Sequence, residues 1–181
     1  MVRAVLLLLS AVAVAGCSQT VGEGDPDIEA ARTYDGYPLY WVGERFEQWD
    51  LEYVAVQPGG FSTFSYGTCE LEPFSDGGCP PPLQIQIQPL CAHLDAVARA
   101  PVWKRRTVRG APVGTIDSAP VLFTDRVQVK VYRDQGSDPG LTLRVLRALR
   151  SVNEVEPVIA VTDPIPGAPR AVLSGTTPCT A

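Results

Sequence analysis

The chain has 181 residues, a formal net charge of −5, a 45% hydrophobic share, 17 prolines and 16 glycines. That hydrophobic share excludes disorder throughout, and an acidic chain without a nucleic-acid motif excludes nucleic acid as a partner. So many turn formers point to short strands with tight connections.

Met1-Val2-Arg3 places positive charge at the N-terminus, and Ala4 to Gly16 is then apolar except for Ser10. The run is too short for a membrane-crossing helix, which needs about 20 residues. A basic start, a short apolar run and small residues at its end describe an export signal. The order Val14-Ala15-Gly16-Cys17 resembles the lipobox of bacterial lipoproteins. The resemblance implies cleavage before Cys17, lipid on its thiol, and a chain tethered to the cell membrane or outer membrane on its extracytoplasmic side. Two or three acyl chains make a stable anchor where one does not. The alternatives are an ordinary signal-peptidase cut using Ala13 and Ala15, or an uncleaved anchor. Ser18, not Asp, follows the cysteine, which supplies no reason for inner-membrane retention.

This divides the chain into a signal (1–16), a lipidated Cys17 with a polar tether (17–36), and a single domain (37–181) ending in a Pro-rich arm. In the tether, Ile28 to Ala31 can form one helical turn. Strands are expected at Tyr37 to Trp41, Leu51 to Gln57 and Phe61 to Cys69, with Val42 to Asp50 readable as helical turn or extended loop. Leu83 to Gln88 alternates strictly, Leu83, Ile85 and Ile87 on one face and three glutamines on the other. Pro89 to Arg99 changes to a helical period, with Pro89 at a first helical position. Thr107 to Arg109 and Val113 to Ile116 are expected strands around Gly110. Val121 to Phe123 and Val127 to Tyr132 form a hairpin, Val127, Val129 and Val131 inward and Gln128, Lys130 and Tyr132 outward. Asp138-Pro139 gives an N-cap and a first-turn proline to a helix from Leu141 to Val152, with Asn153 as a left-handed C-cap. Arg144, Arg147 and Arg150 line its solvent side. Residues 154–181 wrap the surface. The fold class is α+β: an antiparallel sheet of about five to seven strands with two helices packed on one face.

There are five cysteines. Removing Cys17 leaves four, an even number suited to an oxidising compartment. Three pairings are possible. Cys69–Cys79 and Cys91–Cys179 are expected, the first stapling a Pro/Gly loop, the second pinning the C-terminal arm. No C-x2-C spacing exists and His93 is the sole histidine, so no metal or other cofactor is expected. No catalytic motif is present, and His93 reads as a surface or capping side chain.

Seven of the 14 aromatics fall between Tyr34 and Tyr53. They read as core and sheet packing, or as a ligand platform in which Tyr40, Trp41 and Trp49 are the candidates. Residues 17–100 carry 13 acidic and 3 basic side chains, and residues 101–181 carry 7 and 11. The halves compensate each other on folding, or the basic half, including Lys104-Arg105-Arg106, faces an anionic envelope surface. The expectation is a lipid-anchored envelope protein that binds or interacts rather than catalyses. Its partner would be an envelope protein, or alternatively a glycan or small ligand. A hydrolase around His93 is the third reading.

Overall fold

The computed structural model describes residues 26–68, 80–92, 106–134 and 136–179. Cys17, Cys69, Cys79, His93, Lys104 and Arg105, with most of the helix expected from Pro89, lie outside the described residues. Of that helix, Pro89 itself is the last residue of a strand, and Leu90 to Ala92 form a turn.

In chain order the elements are α1 (Ile28–Thr33), β1 (Tyr40–Trp41), β2 (Arg45–Phe46), β3 (Trp49–Ala55), β4 (Ser62–Tyr66) and β5 (Leu83–Pro89). Then come β6 (Thr107–Val108), β7 (Ala111–Ile116), β8 (Ala119–Phe123), β9 (Val127–Arg133), α2 (Leu141–Ala148), β10 (Arg150–Ser151) and α3 (Arg170–Leu173). Eight strands form one antiparallel sheet in the order β2-β3-β4-β5-β9-β8-β7-β6, and β1 pairs with β10 separately. The sheet is thus wider than the five to seven strands expected. The ambiguous stretch Val42 to Asp50 supplies the extra strand β2 and its turn into β3.

Side chains alternate across each strand, so pairing sorts them into two faces. Phe64, Tyr66, Leu83, Ile85, Ile87, Val129 and Val131 share one face and are essentially inaccessible. Ala31 of α1 and Leu141, Val145 and Leu146 of α2 complete this main core. The packed region therefore begins before residue 37. Asp27 caps α1 by accepting from the Ala30 amide at 3.0 Å. The opposite face carries Thr63, Ser65 and the three β5 glutamines. Near β8 it also carries a second apolar cluster of Ile116, Val121, Phe123, Ala168 and Leu173. The C-terminal arm supplies the last two, so α3 sits on this second face while α1 and α2 serve the first. Gln128, expected outward, is 0% exposed because its face is covered beside Phe123, and its amide has no hydrogen-bond partner among the described residues.

Besides Glu47 (φ 54°) between β2 and β3, two turns hold residues other than glycine in the left-handed region. Asp117 and Ser118 (φ 49° and 67°) join β7 to β8, and Arg109 with Gly110 (φ 51° and 94°) joins β6 to β7. Both match the two-residue hairpin turn whose twist suits antiparallel strands. From its turn the Arg109 side chain crosses to the arm. Its Nε donates to the Asp163 carbonyl at 2.7 Å, and its two terminal nitrogens donate to the carbonyls of Leu149 and Ala160. Burial pulls the Arg109 pKa down from its ordinary value, with the Asp163 charge opposing. Arg109→Met should lose about 2 kcal/mol of stability by stranding these carbonyls, and Arg109→Lys should not restore it, lacking the fork. A denaturant titration of the three proteins checks this.

Helix α2 is shorter than expected. It ends at Ala148, Leu149 turns extended (φ −57°, ψ 139°), and Arg150–Ser151 pair with Tyr40–Trp41. Asn153 is consequently no helix cap. Asp138 is not the N-cap either: Gly140 is, and the Asp138 carboxylate accepts from the Gly140 amide at 2.8 Å. The Arg side of α2 does face solvent, with Arg144 bridging Glu47 at 2.6 Å and Asp138 at 2.5 Å. Leu149 is 0% exposed, so Leu149→Ala should cost about 3 kcal/mol, whereas Arg147→Ala should stay below about 1 kcal/mol. Equal losses in urea unfolding would contradict this packing.

Candidate functional site

The residues expected to form an aromatic platform do not converge on one. Tyr40 is 2% and Trp41 7% exposed, both in the main core. They are drawn inside because β1 is sandwiched by its pairing with β10 and by Phe64, 6.3 Å from the Trp41 ring. The Arg150 guanidinium lies 5.5 Å from that ring. Trp49 instead covers Gly67, where a Cβ would sit 2.5 Å from the indole and φ is +76°. The aromatics that do reach solvent on the second face are Tyr53 and Tyr132, 44% and 37% exposed. They end a cross-strand row of Tyr53, Ser65, Gln84 and Tyr132, in which the Gln84 amide donates to the Ser65 hydroxyl at 3.2 Å.

A cavity of about 590 Å³ opens where β5 and the β8–β9 turn meet the C-terminal arm. Its construction is local. Thr124 follows β8, and its hydroxyl donates to the Val127 carbonyl at 2.9 Å and accepts from the Val127 amide at 2.8 Å. That loop presents Asp125 and Arg126 at the cavity. The arm is tied alongside by the Asp125 amide to Pro166 carbonyl bond (3.0 Å) and the Ala168 amide to Phe123 carbonyl bond (3.1 Å), and the Leu90 amide donates to the Arg126 carbonyl (2.8 Å), holding the end of β5 to the turn. Gly167 makes this approach possible, since a Cβ there would lie 2.7 Å from Pro112.

The walls are stiff and mostly apolar. Pro89, Pro169 and Pro178 have fixed φ, Leu90 and Val172 fill between them, and the Cys91–Cys179 disulfide closes the end. That bond joins residues 88 apart in sequence across a Cα–Cα distance of 5.5 Å. It is the pairing expected from sequence, whereas Cys69–Cys79 lies outside the described residues. The volume falls in the range of small-ligand sites, which combine apolar walls with a few polar groups. Here the charged groups among the described lining residues are Asp125 and Arg126, opposite in sign and adjacent in sequence. Sequence reasoning missed both, because they look like ordinary turn residues until the arm is laid beside them.

Among the described residues no three His, Cys, Asp or Glu side chains could share a metal ion. No described helix is long and apolar enough to cross a membrane. Neither a family model, nor a curated protein, nor a solved structure matches the chain.

Proposed function

We propose that this protein is exported, anchored by lipid on Cys17 to the cell membrane or outer membrane, and that its folded domain is a binding module. The observation that carries the proposal is the Cys91–Cys179 disulfide. Structural disulfides persist in oxidising compartments, and the apolar run ending in Val14-Ala15-Gly16-Cys17 supplies the route to one. The cavity beside that disulfide supports a binding role: it is walled by prolines and presents one acidic and one basic group. A rigid, concave, largely apolar recess suits a compact ligand with an amphoteric or amide-like polar end. No catalytic residue and no cofactor enters this reading.

Cys17→Ala should abolish incorporation of a labelled fatty acid and change the electrophoretic pattern of signal processing. Equal fatty-acid labelling of the wild type and the variant would remove Cys17 as the anchor. A second reading, envelope-glycan binding, draws on the row Tyr53–Ser65–Gln84–Tyr132, whose two end rings are exposed, rather than on Tyr40 and Trp41, since sugar faces stack on accessible rings with amides alongside. Binding of soluble glycan fragments that is lost in a Tyr53→Ala, Tyr132→Ala double variant would favour it over the cavity.

A further inference from the structure

The two ends of the large sheet differ in chemistry. Antiparallel pairing sets the β3–β4 turn, the end of β5 at Pro89 and the β8–β9 turn at one end. The β2–β3 turn, the β7–β8 turn and the chain leaving β9 lie at the other. Ion pairs crowd this second end. Arg45 meets Asp50 at 3.4 Å, Arg144 meets Glu47 at 2.6 Å and Asp138 at 2.5 Å, and Arg32 reaches Glu44 at 3.6 Å.

The β3–β4 turn is the opposite in character. From Tyr53 to Thr68 the chain holds no charged residue. Gln57, Pro58, Gly59 and Phe61 are exposed at the turn, Phe61 to 45%. The turn is also fixed. The Gly60 amide donates to the Gln57 carbonyl at 3.1 Å, and the Tyr37 hydroxyl shares a 2.9 Å hydrogen bond with that of Ser62 while lying 3.4 Å from the Gln57 and Gly60 carbonyls. Phe61 therefore stands in water on a braced support, and removing its ring from water is favourable. Asp125 and Arg126, opposite in sign, lie two to three strands from β4, in the β8–β9 turn.

The tether adds a length. Residues 18–25 separate Cys17 from Pro26, the first described residue. Fully extended, that connection spans at most about 30 Å. A lipid on Cys17 would thus keep the folded domain beside the bilayer at high effective concentration, where a weak second contact suffices.

We propose that the β3–β4 end is the membrane-facing end of the domain, with Pro58 and Phe61 set into the headgroup boundary of the bilayer and the ion-paired end turned away. The partner is the lipid surface itself. An uncharged turn needs no anionic lipid, whereas sinking the ion-paired end past the headgroups would strip water from its charges. The proposal rests on the lipid anchor at Cys17 and not on the cavity at the disulfide.

The test puts the photoreactive amino acid p-benzoylphenylalanine in place of Phe61 or, at the opposite end, of Arg45, whose side chain is 65% exposed. The seven-residue β3 sets these ends about 23 Å apart. Full-length protein purified from membranes is reconstituted in vesicles of phosphatidylcholine alone and irradiated. Mass spectrometry reads both the lipid adducts and the state of Cys17. Position 61 should give lipid adducts at least about tenfold more often than position 45. With the reagent in place of Pro58, Phe61→Asp should cut the adducts about fivefold and Phe61→Trp should keep them. Equal adducts at positions 61 and 45 on protein with a lipidated Cys17 would overturn the proposal and leave the anchor standing. So would undiminished adducts in Phe61→Asp. An unlipidated Cys17 would overturn the anchor, and the proposal with it. In native membranes, cross-linking of position 61 to a protein in place of lipid would overturn it in favour of a protein partner.

Discussion

Asn153→Ala should destabilise the fold by about 5 kcal/mol, the largest effect expected of any single side chain here. Asn153 is 2% exposed. Its Oδ1 accepts from the Leu39 amide at 2.9 Å, and its Nδ2 donates to the carbonyls of Tyr37 at 2.8 Å and Tyr34 at 2.9 Å. One side-chain amide thus satisfies three backbone groups in the segment leading from α1 into β1. Alanine would strand all three, each at a desolvation cost of about 1–3 kcal/mol. Asn153→Asp keeps the acceptor but sets a carboxylate against two carbonyls, so it should rescue little at neutral pH. Urea unfolding measures both variants. A loss under about 1.5 kcal/mol for Asn153→Ala would mean that water replaces the amide and that this junction is not what orders β1.

Removing the Cys91–Cys179 bond should cost on the order of 4 kcal/mol, given its 88-residue separation and the chain-entropy account of cross-links. The structure says where the loss is felt first. The arm is anchored to the main core through Ile159 and Ile165, but beyond Gly167 its buried apolar residues are only Ala168 and Leu173 among those described. With both cysteines changed to serine, α3 and the turn after it should open before the sheet does. Hydrogen exchange gives the reading. The Val172 and Thr177 amides, bonded to Pro169 and Ala171, should lose protection while the β5 and β9 amides keep theirs. Simultaneous loss across β5 and β9 would contradict an arm that opens independently. The cavity should lose its disulfide wall in the same variant, so ligand binding there should fall with the arm's protection.

The elements most legible in sequence were those with a period of two and one wet face. Leu83 to Gln88 and Val127 to Tyr132 read correctly because the apolar set alone meets the helices. Gln128 did not, since the arm covers its face from forty residues downstream. The end of α2 was misplaced for a related reason. Val145, Leu149 and Val152 keep helical spacing, yet the chain leaves the helix at Leu149 so that Arg150 and Ser151 can pair with β1, more than a hundred residues away in sequence. Asn153 and Arg109 bond groups 114 to 119 and 40 to 54 positions distant, and no local pattern marks such side chains. The candidate cavity was legible only in its disulfide. Its polar pair, Asp125 and Arg126, emerges from the meeting of a turn with an arm.

Mass spectrometry of the mature N-terminal peptide from native membranes tests the central claim most directly. The expected peptide begins at Cys17 and carries a diacylglycerol on its thiol, with further acylation where the cell performs it. An unmodified Cys17, or a mature chain beginning at any other residue, would contradict it.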